Sequence, residues 1–252
     1  MSFVQTLRHD DIHELRLARP PVNALDPALC TDLLQALDTA VAAGARGLLL
    51  SGGPKVFSGG LDVPYLLSLG TDQAALQAAW QDFFEVARRL AACPVPVVAA
   101  IAGHAPAGGC VLALCCDYRV MAQGEFRIGL NETQVGLIAP EGIQALLARA
   151  VGAHRAALML MEGRMVDAAH AHGIGLVDAL APAEAVVEAG LGWLQALLRL
   201  PQAPMLETRR IARAALLDCL REERIDLTGF VARWTDADTQ AGLRALMARL
   251  GK

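Results

Sequence analysis

Residues 101–132 hold the pieces of a proton-transfer site. The strand-like run Pro96-Val97-Val98-Ala99-Ala100-Ile101-Ala102 leads to Pro106-Ala107-Gly108-Gly109-Cys110, where an apolar helical segment opens. Paired glycines let the backbone come close to a ligand, and a helix start presents amide N–H groups that have no partner within the helix. Gly129-Leu130-Asn131-Glu132 follows and brings one carboxylate into otherwise apolar surroundings. Amide donors for a developing oxyanion, with a single base nearby, suit removal of a proton next to a carbonyl. The chain reads first as an enzyme.

Several elements must hold these loops. Phe3–Thr6 and Ile12–Leu17 alternate apolar and polar residues around His9-Asp10-Asp11, which is a hairpin pattern. Asp26 is placed to cap a helix running to about Ala43, after the irregular loop Arg19-Pro20-Pro21-Val22-Asn23-Ala24-Leu25. Gly47–Ser51 is a short buried strand, and Asp72–Leu90 is amphipathic at helical period. Strand, loop and helix alternate through the first 120 residues, which predicts an α/β fold with parallel strands beneath helices. Ala139–Met161 is helical with a break at Val151-Gly152, Gly173–Asp178 reads as a short strand, and Pro182–Leu250 is almost wholly helical. A hinge falls near Pro201–Pro204, dividing a core (1–200) from a C-terminal helical region (201–252).

The 252 residues, 54% of them apolar, supply a large core. A net charge of −4 and the absence of a dense basic run speak against nucleic-acid binding. No apolar run approaches the roughly 20 residues that span a bilayer. The six cysteines lie in apolar runs without ligand spacing, as expected of buried free thiols in a reducing compartment. With no signal pattern at the N-terminus, the expected location is cytoplasmic.

In order and spacing, three segments resemble the crotonase (enoyl-CoA hydratase/isomerase) superfamily, and within it the mitochondrial type of 3,2-trans-enoyl-CoA isomerases. Phe57-Ser58-Gly59-Gly60-Leu61-Asp62 resembles the first oxyanion loop, with Gly59 where that family usually has Ala. Pro106–Cys110 with Asp117-Tyr118-Arg119 resembles the second, and Gly129–Gln134 with Gly136 and Ile138-Ala139-Pro140 resembles the catalytic segment. The resemblance covers nearly the whole chain. It implies a core of repeated ββα units, a C-terminal helical region that packs in a homotrimer or a dimer of trimers, and an acyl-CoA thioester ligand. No cofactor is implied, since CoA is part of the substrate.

The resemblance nominates the backbone N–H groups of Gly59 and Gly108 as oxyanion donors and Glu132 as a base that carries one proton from C2 to C4 of a 3-enoyl-CoA, as in fatty acid β-oxidation. Expected substrate contacts are Gly60, Leu61, Asp62, Val63 and Asn131. Read locally, the glycines can serve only as tight turns, Glu132 can face solvent, and Asn131 can be an ordinary turn residue. Asp62 suits a helix start, Glu141 is the rival base, and His104 has no assigned role. His170 and His172 lack a partner at metal-ligand spacing. Hydratases of the family carry a second glutamate directly after the Gly-Gly-Cys, where this chain has Val111, so isomerisation is favoured over hydration. The alternatives are another acyl-CoA reaction through the same enolate (hydration or hydrolysis) and an acyl-CoA-binding protein with weak catalysis.

Overall fold

The computed structural model describes residues 2–249. The chain opens with a hairpin, β1 (Val4–His9) against β2 (Ile12–Leu17), in antiparallel register with Val4 opposite Leu17. Helix α1 (Pro27–Ala42) follows, and the Asp26 side chain caps it by accepting from Leu29 N–H. β3 (Gly47–Ser51) lies parallel to β2. After α2 (Val63–Ser68) and α3 (Gln73–Ala91) the chain returns as β4 (Val97–Ile101), then β5 (Ala105–Pro106), α4 (Gly108–Leu114), β6 (Tyr118–Ala122) and β7 (Arg127–Gly129). Helices α5 (Glu141–Val151) and α6 (Ala153–Glu162), β8 (Val166–Asp167), α7 (Ala168–Gly173), β9 (Ala179–Ala181) and α8 (Val186–Leu198) complete the core.

The main sheet runs β1-β2-β3-β4-β6-β9, parallel from β2 onward. β3 and β4 read as continuous apolar runs because both faces are covered, and every residue of either strand is buried. One face packs against α1, α3 and α4, the other against α8, with Leu49, Val98, Ala100 and Val120 beneath it. A second, three-stranded sheet, β5-β7-β8, carries the glycine-rich turn. Its strands are two or three residues long, too short for a periodic signal. The expected strand at Gly173–Asp178 is instead the end of α7 and a turn through Gly175 (φ +79°), and the strand is Ala179–Ala181. Leu176 and Val177 are apolar because the turn itself is buried.

The C-terminal region consists of α9 (Gln202–Ala212), α10 (Ala214–Cys219), α11 (Leu227–Ala232) and α12 (Ala237–Arg249). Its apolar residues look suited to subunit contact in the sequence, yet Val231, Trp234 and Leu243 are buried within the chain itself, and Phe230 with them. They fold back over α3 and the segment after β7. Among the described residues, the exposed large apolar side chains in and beside this region are Leu200, Ile211 on α9 and Leu217 on α10.

α9 is fastened by Asp117, at the turn between α4 and β6. Its carboxylate accepts from Arg209 Nε and Nη2 (2.9 Å each), from Arg213 Nη1 (2.6 Å) and from the Val97 amide (2.8 Å). The guanidiniums also reach the carbonyls of Cys93, Ala91 and Cys115. Breaking a buried ion pair from one side leaves charge without a partner. Asp117→Ala is expected to cost about 3–5 kcal/mol in urea denaturation, whereas a change below about 1 kcal/mol would mean that water replaces the carboxylate.

Candidate active site

Four segments enclose a cavity of about 440 Å³. The loop before α2 and the start of α4 supply backbone. The turn after β7 supplies Glu132. Helices α3, α11 and α12, with the 3-10 turn Arg233–Thr235 between the last two, supply an apolar wall that includes Trp80, Phe83, Phe230, Trp234 and Leu246. The chain has only three Trp and six Phe, and two Trp and three Phe line this space. Trp80 meets Phe230 edge-on with ring centroids 4.4 Å apart, which joins α3 to α11.

The two glycine loops touch. Gly60 has φ +81°, and a Cβ there would lie 3.1 Å from Gly108 N and 3.2 Å from Ala107 Cβ. Only a residue without a side chain allows this approach. Leu25 N–H donates to Gly60 O and Asp62 N–H to Leu25 O, bracketing Leu61 in a parallel bridge. In that geometry the Leu61 amide points away from Leu25. Among the described residues neither Leu61 N–H nor Gly108 N–H has a hydrogen-bond partner, and both residues line the cavity.

This corrects one expected donor. Gly59 N–H is committed to Val22 O at 2.8 Å, so the free amide of the first loop belongs to Leu61, two residues on. A methyl at Gly59 would sit 3.3 Å from Val22 Cγ2, an approach that alanine could make only if Val22 shifted slightly. Gly60, expected as a substrate contact, spaces the loops and does not line the cavity, whereas Leu61, Asp62, Val63 and Asn131 do. Strain marks the second loop. Ala107 has φ +45°, ψ −117°, held by its N–H to Gly129 O, and this conformation immediately precedes the Gly108 amide.

Glu132 opens a 3-10 turn (Glu132–Val135) and lines the cavity. The residue is part-exposed as a whole, but its Oε2 is buried with no hydrogen-bond partner. Loss of water pushes the carboxyl up to about 7, opposed only by its own backbone amide. Asp62 differs. It caps α2 through Tyr65 N–H and accepts from Arg19 Nη2 at 2.7 Å, so its oxygens are occupied. Arg19 also pairs with Asp26, which ties the starts of α1 and α2 together at the rim.

Glu141 lies on an exposed turn of α5, paired with Arg224 at 2.8 Å, and does not line the cavity. His104 lines the cavity, with Nδ1 accepting from Arg127 N–H. Val111 is buried, lines the cavity and brings no carboxylate. Among the described residues no group of three or more His, Cys, Asp or Glu side chains is arranged to hold a metal ion, His170 and His172 included, and no helix is long and apolar enough to cross a membrane. Sequence reasoning missed the free amide of Leu61, Arg19, and the whole aromatic wall. The rarity of aromatics in this chain was the one available signal for the wall.

Parallel strands whose loops bring two unpaired amides and a carboxylate with one unpartnered, buried oxygen to an apolar cavity define a crotonase-type enzyme. The chain belongs to the enoyl-CoA hydratase/isomerase family, whose sequence profile matches residues 8–249. It is 32% identical to mitochondrial enoyl-CoA delta isomerase 1 of Mus musculus over 98% of this chain and 86% of that protein. A putative enoyl-CoA hydratase of Thermus thermophilus is 38% identical over 64% of this chain and 63% of that protein. The crystal structure of human mitochondrial delta3-delta2-enoyl-CoA isomerase superposes with a TM-score of 0.92, at 31% identity, covering 99% of this chain and 98% of that one.

Burial of Glu132 has a measurable cost. Between the ordinary value of 4.5 and about 7 the folded chain binds more protons than the unfolded one. Stability therefore falls as pH rises through that window, with a full loss of roughly 3 kcal/mol above it. Glu132→Gln is expected to match wild type near pH 4.5 and to exceed it by up to that amount at pH 8 in urea denaturation. Equal stability at both pH values would mean that the carboxylate is hydrated.

Proposed function

We propose that the protein is a 3,2-trans-enoyl-CoA isomerase, moving the double bond of a 3-enoyl-CoA to the trans-2 position. One observation carries this reading: Glu132 is the single cavity carboxylate with an unpartnered buried oxygen, beside two unpaired amides and with Val111 where a hydratase would hold a second acid. The names of the mouse relative and of the human structure support the same direction.

The thioester oxygen accepts from Leu61 N–H and Gly108 N–H. Glu132 takes a proton from C2, the C2–H electron pair delocalises into the thioester, and the oxygen gains negative charge that the two amides stabilise. Each such donor is typically worth about 3–4 kcal/mol at the transition state. As the thioester carbonyl reforms, the C1–C2 π pair shifts to make the C2=C3 double bond, the C3=C4 π bond breaks, and its electron pair takes the proton from Glu132 at C4. Nothing is oxidised or reduced, and no second carboxylate is required. An ordinary carboxylate is a weak base, and burial brings Glu132 near neutral pH, where acceptance and return of a proton are balanced. The aromatic wall suits an acyl chain and keeps water from the intermediate.

The setting proposed is fatty acid β-oxidation, with an acyl-CoA thioester as the only partner besides other copies of the chain. Six buried free thiols suit a reducing compartment such as the cytoplasm. A homotrimer or dimer of trimers rests here on the exposed Leu200, Ile211 and Leu217, in and beside the 201–252 region, rather than on the buried C-terminal residues.

Wild-type protein is expected to convert 3-enoyl-CoA thioesters to trans-2-enoyl-CoA and to hydrate trans-2-enoyl-CoA far more slowly, both read by product chromatography. Glu132→Gln should lower kcat by about a thousandfold with little change in KM, as for loss of a positioned base. Hydration as fast as isomerisation would favour the reading suggested by the name of the Thermus thermophilus relative. Near-normal turnover by Glu132→Gln would remove the base from the scheme.

A further inference from the structure

A single 3-10 turn is a weak platform for a catalytic carboxylate. Its internal bonds are few (Gln134 N–H to Asn131 O and Leu137 N–H to Glu132 O at 3.0 Å, Gly136 N–H to Thr133 O at 3.3 Å), and one turn does not persist in water without outside support. The support on one side is exposed: Thr133 Oγ1 donates to Leu160 O and Gln134 Nε2 to Glu162 O, both on α6. On the other side lies α12, in backbone-to-backbone contact. Gly136, at φ +75°, faces α12 so closely that a Cβ would lie 2.6 Å from Asp238 O and 2.8 Å from Thr239 Cα. Gly242 returns the approach, with a Cβ position 2.6 Å from Val135 C and O and 2.9 Å from Gly136 N. Between these glycines the buried Thr239 hydroxyl donates to Gly136 O at 2.6 Å. One helical turn past Gly242, Leu246 enters the cavity that Glu132 lines.

We infer that α12 is a clamp that sets the position of the Glu132 turn and keeps water from it, with Gly242 and Thr239 as positioning residues that act through Glu132. The clamp rests on the proposed role of Glu132 for its kinetic consequences, but not for its geometry. A glycine inside a helix normally weakens it relative to alanine, and Gly242 is tolerated because nothing larger lets the helix reach the turn. Charged and titratable groups on the elements around the turn are Cys110 of α4, His154, Arg155 and Glu162 of α6, and Asp238, Arg244 and Arg249 of α12. Burial keeps the Cys110 thiol protonated, and loss of water is the cause that raises the Glu132 carboxyl. A change in Glu132 titration on altering α12 therefore reports the entry of water.

The test compares Gly242→Ala, Thr239→Val, Thr239→Ser and the exposed control Ala245→Ser in the full chain. Two readouts are used: isomerase kinetics across pH, and carbon-13 NMR titration of the Glu132 carboxyl, assigned with Glu132→Gln. Gly242→Ala is expected to lower kcat by roughly a hundredfold, the loss a displacement of about 1 Å produces, with KM changed less than about threefold. Its carboxyl should titrate below the wild-type value, and the acid limb of kcat/KM should move down with it. Thr239→Val should do the same more weakly, while Thr239→Ser and Ala245→Ser stay at wild type. Should Gly242→Ala not fold, the Thr239 pair decides. Unchanged kcat and titration in Gly242→Ala, with the raised Tm expected of a helical Gly→Ala change, would overturn the clamp, and so would Thr239→Val and Thr239→Ser behaving alike. If wild type shows no isomerase turnover, the proposed function fails, and the NMR titration still judges the clamp.

Discussion

A carboxylate with one buried, unpartnered oxygen inside an apolar cavity is the constraint around which this molecule is built. Removing a charge from water without a compensating bond is among the least favourable acts in folding, and a free glutamate escapes it by turning toward solvent. Glu132 is denied that escape by structure contributed from both ends of the chain. The β7 strand delivers it, α3 and α11 close the apolar wall, and α12 braces the turn from behind. The parallel sheet is the foundation, since its fully buried β3 and β4 supply rigid ends from which the loops project.

The amide pair depends on the same economy of space. Each glycine loop is ordinary alone. Their contact, with Gly60 against Gly108, sets two partnerless N–H groups beside one cavity. Neighbouring polar groups are instead fully used: Asn23 accepts from Arg19 N–H and donates to Phe57 O, and Ser58 Oγ donates to Asn23 O. Bonded groups hold the loops still, and the unbonded ones remain available to a ligand. Preorganisation of this kind spares the site from reorganising during reaction.

Much of this was legible in the sequence. Long periodic elements declare themselves by pattern, as with the β1–β2 hairpin, α1 with its Asp26 cap, and α3. That Glu132 and Gly108 meet at one cavity follows the order of their motifs along the chain. Gly59 was misread because the direction of an amide is set by pairing between distant segments, here Val22 and Leu25, which no local pattern records. The buried turn at Leu176 and Val177 imitated a strand because burial selects apolar residues whatever the backbone does. The C-terminal aromatics pose a similar ambiguity: a sequence shows that apolar surface needs cover, but not whether the cover comes from another copy or from the chain's own α3.

The six cysteines have a separate consequence. All are free and buried, and loss of water pushes the thiols of Cys30 and Cys115 up to about 12. At neutral pH both stay protonated, whereas the thiolate is the form that reacts with alkylating reagents. Alkylation of the native protein must therefore wait for the chain to open. Because Cys30 lies on α1, Cys115 at the end of α4 and Cys219 at the end of α10, the order in which they react would chart which layer parts first, making the chain its own recorder of local unfolding.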